Sequence, residues 1–150
     1  MRGDGKGAPR RRHAAPRRRL AAAVALAAVI AAGLVVHALL PDSAGADVAG
    51  DALYAVAVYA GLVVLFPAPR PPLIGAIAVA WCLSIELFQL TGVPLALAAA
   101  FPPIVLVLGT GFDARDLVVY SAAAAAAAAV DLAVARQRGM TAADQRLEPT

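Results

Sequence analysis

The sequence predicts an all-α integral membrane helical bundle: four transmembrane helices plus a short, proline-broken re-entrant or interfacial segment, with five spans as the alternative. Three observations lead there. Apolar residues make up 61% of the chain and charged residues 15%, against about 45–50% and about 25% in soluble domains. The apolar residues fall in runs long enough to cross a hydrocarbon core of about 30 Å. The basic residues are also placed so that, with four crossings, twelve of the thirteen Lys/Arg lie on one side. Mean hydropathy is +0.76, which excludes an ordinary soluble enzyme domain. One cysteine, Cys82, excludes a disulfide scaffold and any multi-cysteine metal site.

Residues 1–19 hold eight of the thirteen basic residues among Gly and Pro. Such a run cannot bury apolar area and reads as a disordered cytoplasmic arm. Basic arms can bind nucleic acid, but an apolar run starts at Leu20, so anionic lipid at the membrane surface is the expected partner, with no role for nucleic acid. Each basic residue near that surface contributes about 1 kcal/mol.

The bundle proper occupies residues 20–135. The first span, 20–40, carries no formal charge. Ala44-Gly45-Ala46 could mark a signal-peptide cleavage site, but signal cores run about 7–15 residues and this one is longer. A polar loop with Asp42 and Asp47 follows. The second span, about 50–66, opens at Asp51 and ends before Pro67. Pro67-Ala68-Pro69-Arg70-Pro71-Pro72 is a turn no helix can cross. The third span, 73–90, carries Glu86 inside it. Segment 93–108 is apolar but broken by Pro94, Pro102 and Pro103, which marks backbone buried against protein at membrane depth rather than a crossing. The last span, 115–135, contains eight consecutive alanines from Ala122 to Ala129. Alanine contributes little to insertion, so this helix must be held by close packing, expected at Ala125 and Ala129. Residues 136–150 read as a disordered cytoplasmic tail.

Four spans leave only Arg115 outside, and five would split the basic residues ten to three. The positive-inside rule prefers four, with both termini cytoplasmic.

In that topology the polar side chains converge at the outer interface. Glu86 and Gln89 are three apart and share a helix face. Asp51 and Tyr54 open the second span; Arg115, Asp116 and Tyr120 open the last. Ordinary roles exist for several of these. Asp51 and Asp113 suit helix N-caps, and Asp116 suits the helix dipole. Tyr54 and Tyr120 suit an aromatic belt. His37 reads as a wetted interfacial residue, Cys82 as a small buried hydrophobe, and Asp131 as snorkelling toward Arg136 or Arg138, or toward water. Glu86 is harder to reduce to such a role, because a charge at depth costs about 2.5–3.5 kcal/mol even on the lenient insertion scale. It is protonated, paired with Arg115, or facing a wet cavity.

Gly50-Asp51-Ala52-Leu53-Tyr54, Ile85-Glu86-Leu87-Phe88-Gln89-Leu90 and the stretch from Val107-Leu108-Gly109-Thr110-Gly111 through Asp113 and Asp116 to Tyr120 together resemble the signature of a bacterial membrane family, domain of unknown function 2809 (DUF2809). The layout is also similar to VanZ-like proteins, in which an acidic residue, an intramembrane Glu-x-x-Gln and a later Asp recur. The resemblance covers about residues 25–135 and implies a multi-pass membrane bundle without implying a reaction. The chain departs from the pattern at Ala98–Ala100, where an arginine is frequent, and at Ala123, where a glycine is frequent.

Three functions are compatible with these residues. The first is a non-enzymatic envelope protein whose outward pocket, built on Glu86, Gln89, Asp51 and Asp116, binds a polar headgroup, an envelope precursor or a partner protein. The second is a small proton-coupled transporter with Glu86 as the titrating group, which at this size needs a homo-oligomer. The third is a hydrolase using Asp51, Glu86 and Asp116 with or without a metal, since Ser84 and Ser121 have no base beside them. No residue is singled out as catalytic, and no cofactor or metal ligand set is expected.

Overall fold

A computed structural model describes residues 11–41, 43–109 and 111–144. The chain is nearly all helical, with no strand among the described residues. In order run α1 (Arg11–Leu39), α2 (Ala44–Leu65), α3 (Pro71–Gln89), α4 (Val93–Ala100), a single 3₁₀ turn, α5 (Val105–Leu108) and α6 (Ala114–Asp144). Four of these, α1, α2, α3 and α6, are long and apolar enough to cross a membrane.

Local chemistry sets the ends. Ser43, extended at φ −156°, accepts a hydrogen bond from the Ala46 N–H and caps α2, with Asp47 in the first turn. The second helix therefore begins seven residues before Asp51, and Asp51 is not its cap. α3 starts at Pro71, where a missing N–H costs nothing, behind an extended Arg70. Beyond its end Gly92 takes φ +72° and turns the chain. Asp113 accepts from the Arg115 N–H and caps α6, as its sequence position predicts.

Two expectations of disorder are corrected where the structure describes the residues. Helix α1 starts at Arg11 and continues through the basic run with Pro16 inside it, because Arg18 finds partners that fix it. Helix α6 runs past Ala135 to Asp144, since Ala, Arg, Gln and Met continue a helix readily. Residues 1–10 of the expected arm, Asp42 of the expected loop and residues 145–150 of the expected tail lie outside the described residues.

Helix α2 is the centre of the bundle and packs against α1, α3 and α6, while α3 also packs against α6. Three stripes at a spacing of four meet there: Asp51, Ala55, Tyr59 and Val63 on α2; Ile74, Ala78, Cys82 and Glu86 on α3; Asp116, Tyr120, Ala124 and Ala128 on α6. That spacing keeps each set on one helix face. Within the polyalanine run the buried positions are Ala124 and Ala128, whereas Ala125 and Ala129 are exposed. The expectation for that pair is thus shifted by one residue. A Cβ added at Gly75 of α3 would stand 3.0 Å from the Ala128 Cβ. Small residues let these two backbones approach, which is how helices associate where lipid supplies no hydrophobic drive.

The segment 93–108 holds helices of only eight and four residues around a 3₁₀ turn, none of them long enough to cross a membrane. It leaves α3 at its C-terminal end, folds α5 back on α4, and returns so that the Leu108 carbonyl accepts a 2.8 Å hydrogen bond from the Gln89 side chain of α3. The first half of α1, the α2–α3 turn and the last half of α6 share the opposite end, where Arg18 touches both other elements. Both described termini are therefore at one end, as four crossings require.

Candidate functional site

At the end where α3 meets α6, five elements surround a cavity of about 770 Å³. Its polar wall contains Glu86, Gln89, Asp51, Asp116, Tyr54, Tyr120 and Arg115, so every candidate residue read from the sequence reaches one place. Val29, Ile30 and Leu34 of α1 supply an apolar wall. The space exists because α1 packs chiefly on α2, which leaves room between α1 and the face formed by α3 and α6.

Glu86 is fully buried. The Asp113 N–H donates to its Oε2 at 3.4 Å, while its Oε1 has no hydrogen-bond partner. Gln89, only 8% exposed, donates through Nε2 to the Leu108 carbonyl, and its own Oε1 is likewise without a partner. Gly109 makes that approach possible: its φ is +61°, and a Cβ there would run into Gln89 Nε2. Tyr120 donates its hydroxyl to Asp51 Oδ1 at 3.2 Å, and Asp116 and Glu86 adjoin the same pair. Tyr120 is buried rather than lying in an aromatic belt, and its ring meets Tyr54 edge-on at 6.0 Å. Trp81, the one tryptophan of the chain, donates its indole N–H to the Tyr54 hydroxyl at 3.2 Å.

Arg115 does not pair with Glu86. It bonds Asp116 at 3.3 Å and approaches Asp113 at 3.5 Å, because its position in the first turn of α6 puts both within reach of its own side chain. His37 is exposed and borders the cavity with Asp47. Cys82 is a fully buried free thiol under the site.

Ser84 and Ser121 donate back to the carbonyls of Ala80 and Leu117 within their own helices, as membrane serines commonly do, so neither is poised as a nucleophile. No group of three or more His, Cys, Asp or Glu among the described residues could hold a metal ion.

A second polar constellation lies at the other end, and the sequence did not reveal it. Arg18 Nη2 meets Asp131 Oδ2 at 2.7 Å, its Nε donates to the same carboxylate, and its Nη1 donates to the carbonyls of Pro67 and Pro69 at 2.6 and 2.7 Å. Tyr59 also donates to Asp131, at 2.8 Å. Asp131 therefore does not reach for Arg136 or Arg138. A usable signal was present, since Arg18 and Asp131 both fall close to that end in a four-span layout.

The sequence model of a family described as "Protein of unknown function (DUF2809)" matches residues 40–124. The chain belongs to that family. The matched stretch contains Asp51, Glu86, Gln89 and Tyr120, and with them most of the polar wall. The DUF2809 match leaves out α1, and so leaves out Arg18 and the apolar wall of the cavity. No curated protein and no solved structure matches the chain.

Proposed function

We propose that this DUF2809 protein is a non-enzymatic, multi-pass protein of the bacterial cell membrane. In this reading both termini are cytoplasmic, and the Glu86 cavity opens outward to bind the polar head of an envelope molecule. One observation carries it: a fully buried carboxyl with one unpartnered oxygen stands in the wall of a cavity of about 770 Å³. Buried polar atoms are almost always satisfied, and an intramembrane carboxyl is costly enough to be retained for a purpose. Anionic lipid around Arg17 and Arg19 would hold the basic end in place.

Extraction in native lipid nanodiscs followed by mass spectrometry tests the reading. A defined non-protein species should co-purify at near-stoichiometric amount with the natural protein and be lost from Glu86→Leu, while both forms express equally. Equal lipid profiles for the two would refute it.

One feature favours a second reading, a small proton-coupled transporter. The cavity gathers several carboxyl side chains that can carry a proton, Glu86, Asp51 and Asp116 among them. Protein in liposomes should then acidify the lumen under an imposed gradient, with Glu86→Gln inactive.

A further inference from the structure

We propose that the head recognised by this cavity is a primary ammonium group carried on an apolar chain. This rests on the pocket reading above and names the chemistry it selects. Both unpartnered buried atoms of the site, Glu86 Oε1 and Gln89 Oε1, are oxygens, and with Glu86 ionised both are acceptors. The orientation of the Gln89 amide is not arbitrary. Leu108 offers a carbonyl, which can only accept, so Nε2 must face it and the oxygen must be the free end. On Glu86 the Asp113 N–H occupies Oε2, again leaving an oxygen. A single ligand group that donates two hydrogen bonds would serve both oxygens.

Charge narrows the class. Asp47, Asp51, Glu86, Asp113 and Asp116 line the cavity against one guanidinium, Arg115, which is already engaged by Asp113 and Asp116. An anion would meet this wall unfavourably, and a cation is drawn to it. A bare metal ion lacks a ligand set among the described residues. A quaternary ammonium carries the charge but no N–H. An R–NH₃⁺ group has three donors and no acceptor, matching two orphan oxygens with one donor left for the Asp51 side. Its hydrogen bonds to carboxylate would be charge-assisted and short. The facing wall of Val29, Ile30 and Leu34 then accounts for an apolar chain on the same molecule.

The test uses the full chain in phosphatidylcholine nanodiscs, titrated with dodecylammonium, dodecyltrimethylammonium and dodecanol. Calorimetry and Trp81 emission are read against empty nanodiscs. Dodecylammonium should bind saturably, and the trimethylated and alcohol probes at least tenfold more weakly. Glu86→Gln should weaken dodecylammonium at least tenfold at unchanged thermal stability. Should that variant not assemble, Gln89→Leu, which removes the other orphan acceptor, should give the same loss. Dodecanol or the trimethylated probe binding as well as dodecylammonium would overturn the ammonium assignment and leave the pocket standing. So would an unchanged affinity in the variants. No saturable binding by any of the three would overturn both.

Discussion

Arg18 of α1 and Asp131 of α6, 113 positions apart in sequence, close a 2.7 Å ion pair at the end of the bundle away from the cavity. The guanidinium also spans the carbonyls of Pro67 and Pro69, which the proline-rich turn leaves without helical partners. One side chain thus joins α1, the α2–α3 turn and α6. The two side chains are only 17% and 19% exposed, so the pair is shielded from water and salt. It also holds three elements at the same end of the bundle.

Removing one partner should be expensive. Arg18→Ala strands a carboxylate and two carbonyls, at a cost of about 3 kcal/mol for a shielded pair, read as a large fall in melting temperature in detergent. Arg18→Lys should recover only part, because an ammonium cannot fork between the carboxylate and the turn. The double change Arg18→Met with Asp131→Leu should restore only part, because it leaves the Tyr59 hydroxyl and the two carbonyls without these partners.

The same contact predicts sidedness. Reporter fusions in the Pro67–Pro72 turn and after Arg138 should report the same compartment, the cytoplasm. Fusions at Gly45 or Gly111 should report the opposite one. A C-terminal fusion active only outside would require a fifth crossing by segment 93–108.

In the polyalanine helix the two faces should behave differently. Ala128→Leu pushes three carbons toward Gly75 and α3, and overpacking of that kind costs about 1–3 kcal/mol. Ala129→Leu, one position on and exposed, should change stability by no more than about 0.5 kcal/mol. Thermal melts of the two variants in one detergent make the comparison.

Gly109→Ala should act on the site from a distance. Its backbone, at φ +61° and ψ −170°, lies where only glycine is at ease, and a side chain there costs about 1–3 kcal/mol. The added Cβ also displaces Gln89 from Leu108. Loss of head-group binding should therefore exceed that of Gly111→Ala, whose Cβ meets nothing.

Much of this arrangement was legible in the residues. The four spans follow from uninterrupted apolar runs bounded by Pro41, Pro67 and Asp113, and Glu86 marks its own site because charge at depth is rare. Helical spacing and span direction then gather Asp51, Gln89, Asp116 and Tyr120 around it. Other features were not legible, for identifiable reasons. Eight identical alanines carry no periodicity, so the buried face could not be distinguished from its neighbour. Arg18 sits in a run of arginines that reads as a solvated flank, and its partner is contributed by the last helix. Asp51 resembles a cap by composition, but Ser43, eight residues earlier, takes that role. Arg115 offered the only cation near Glu86, yet its own first-turn aspartates reach it sooner.

The central claim is that Glu86 faces a bound molecule. An experimental structure of the protein in native lipid nanodiscs, at a resolution that shows ordered waters, tests it most directly. The account predicts non-protein density continuous with the cavity and within about 3.2 Å of both Glu86 Oε1 and Gln89 Oε1. A collapsed cavity in which protein donors satisfy both oxygens would contradict it.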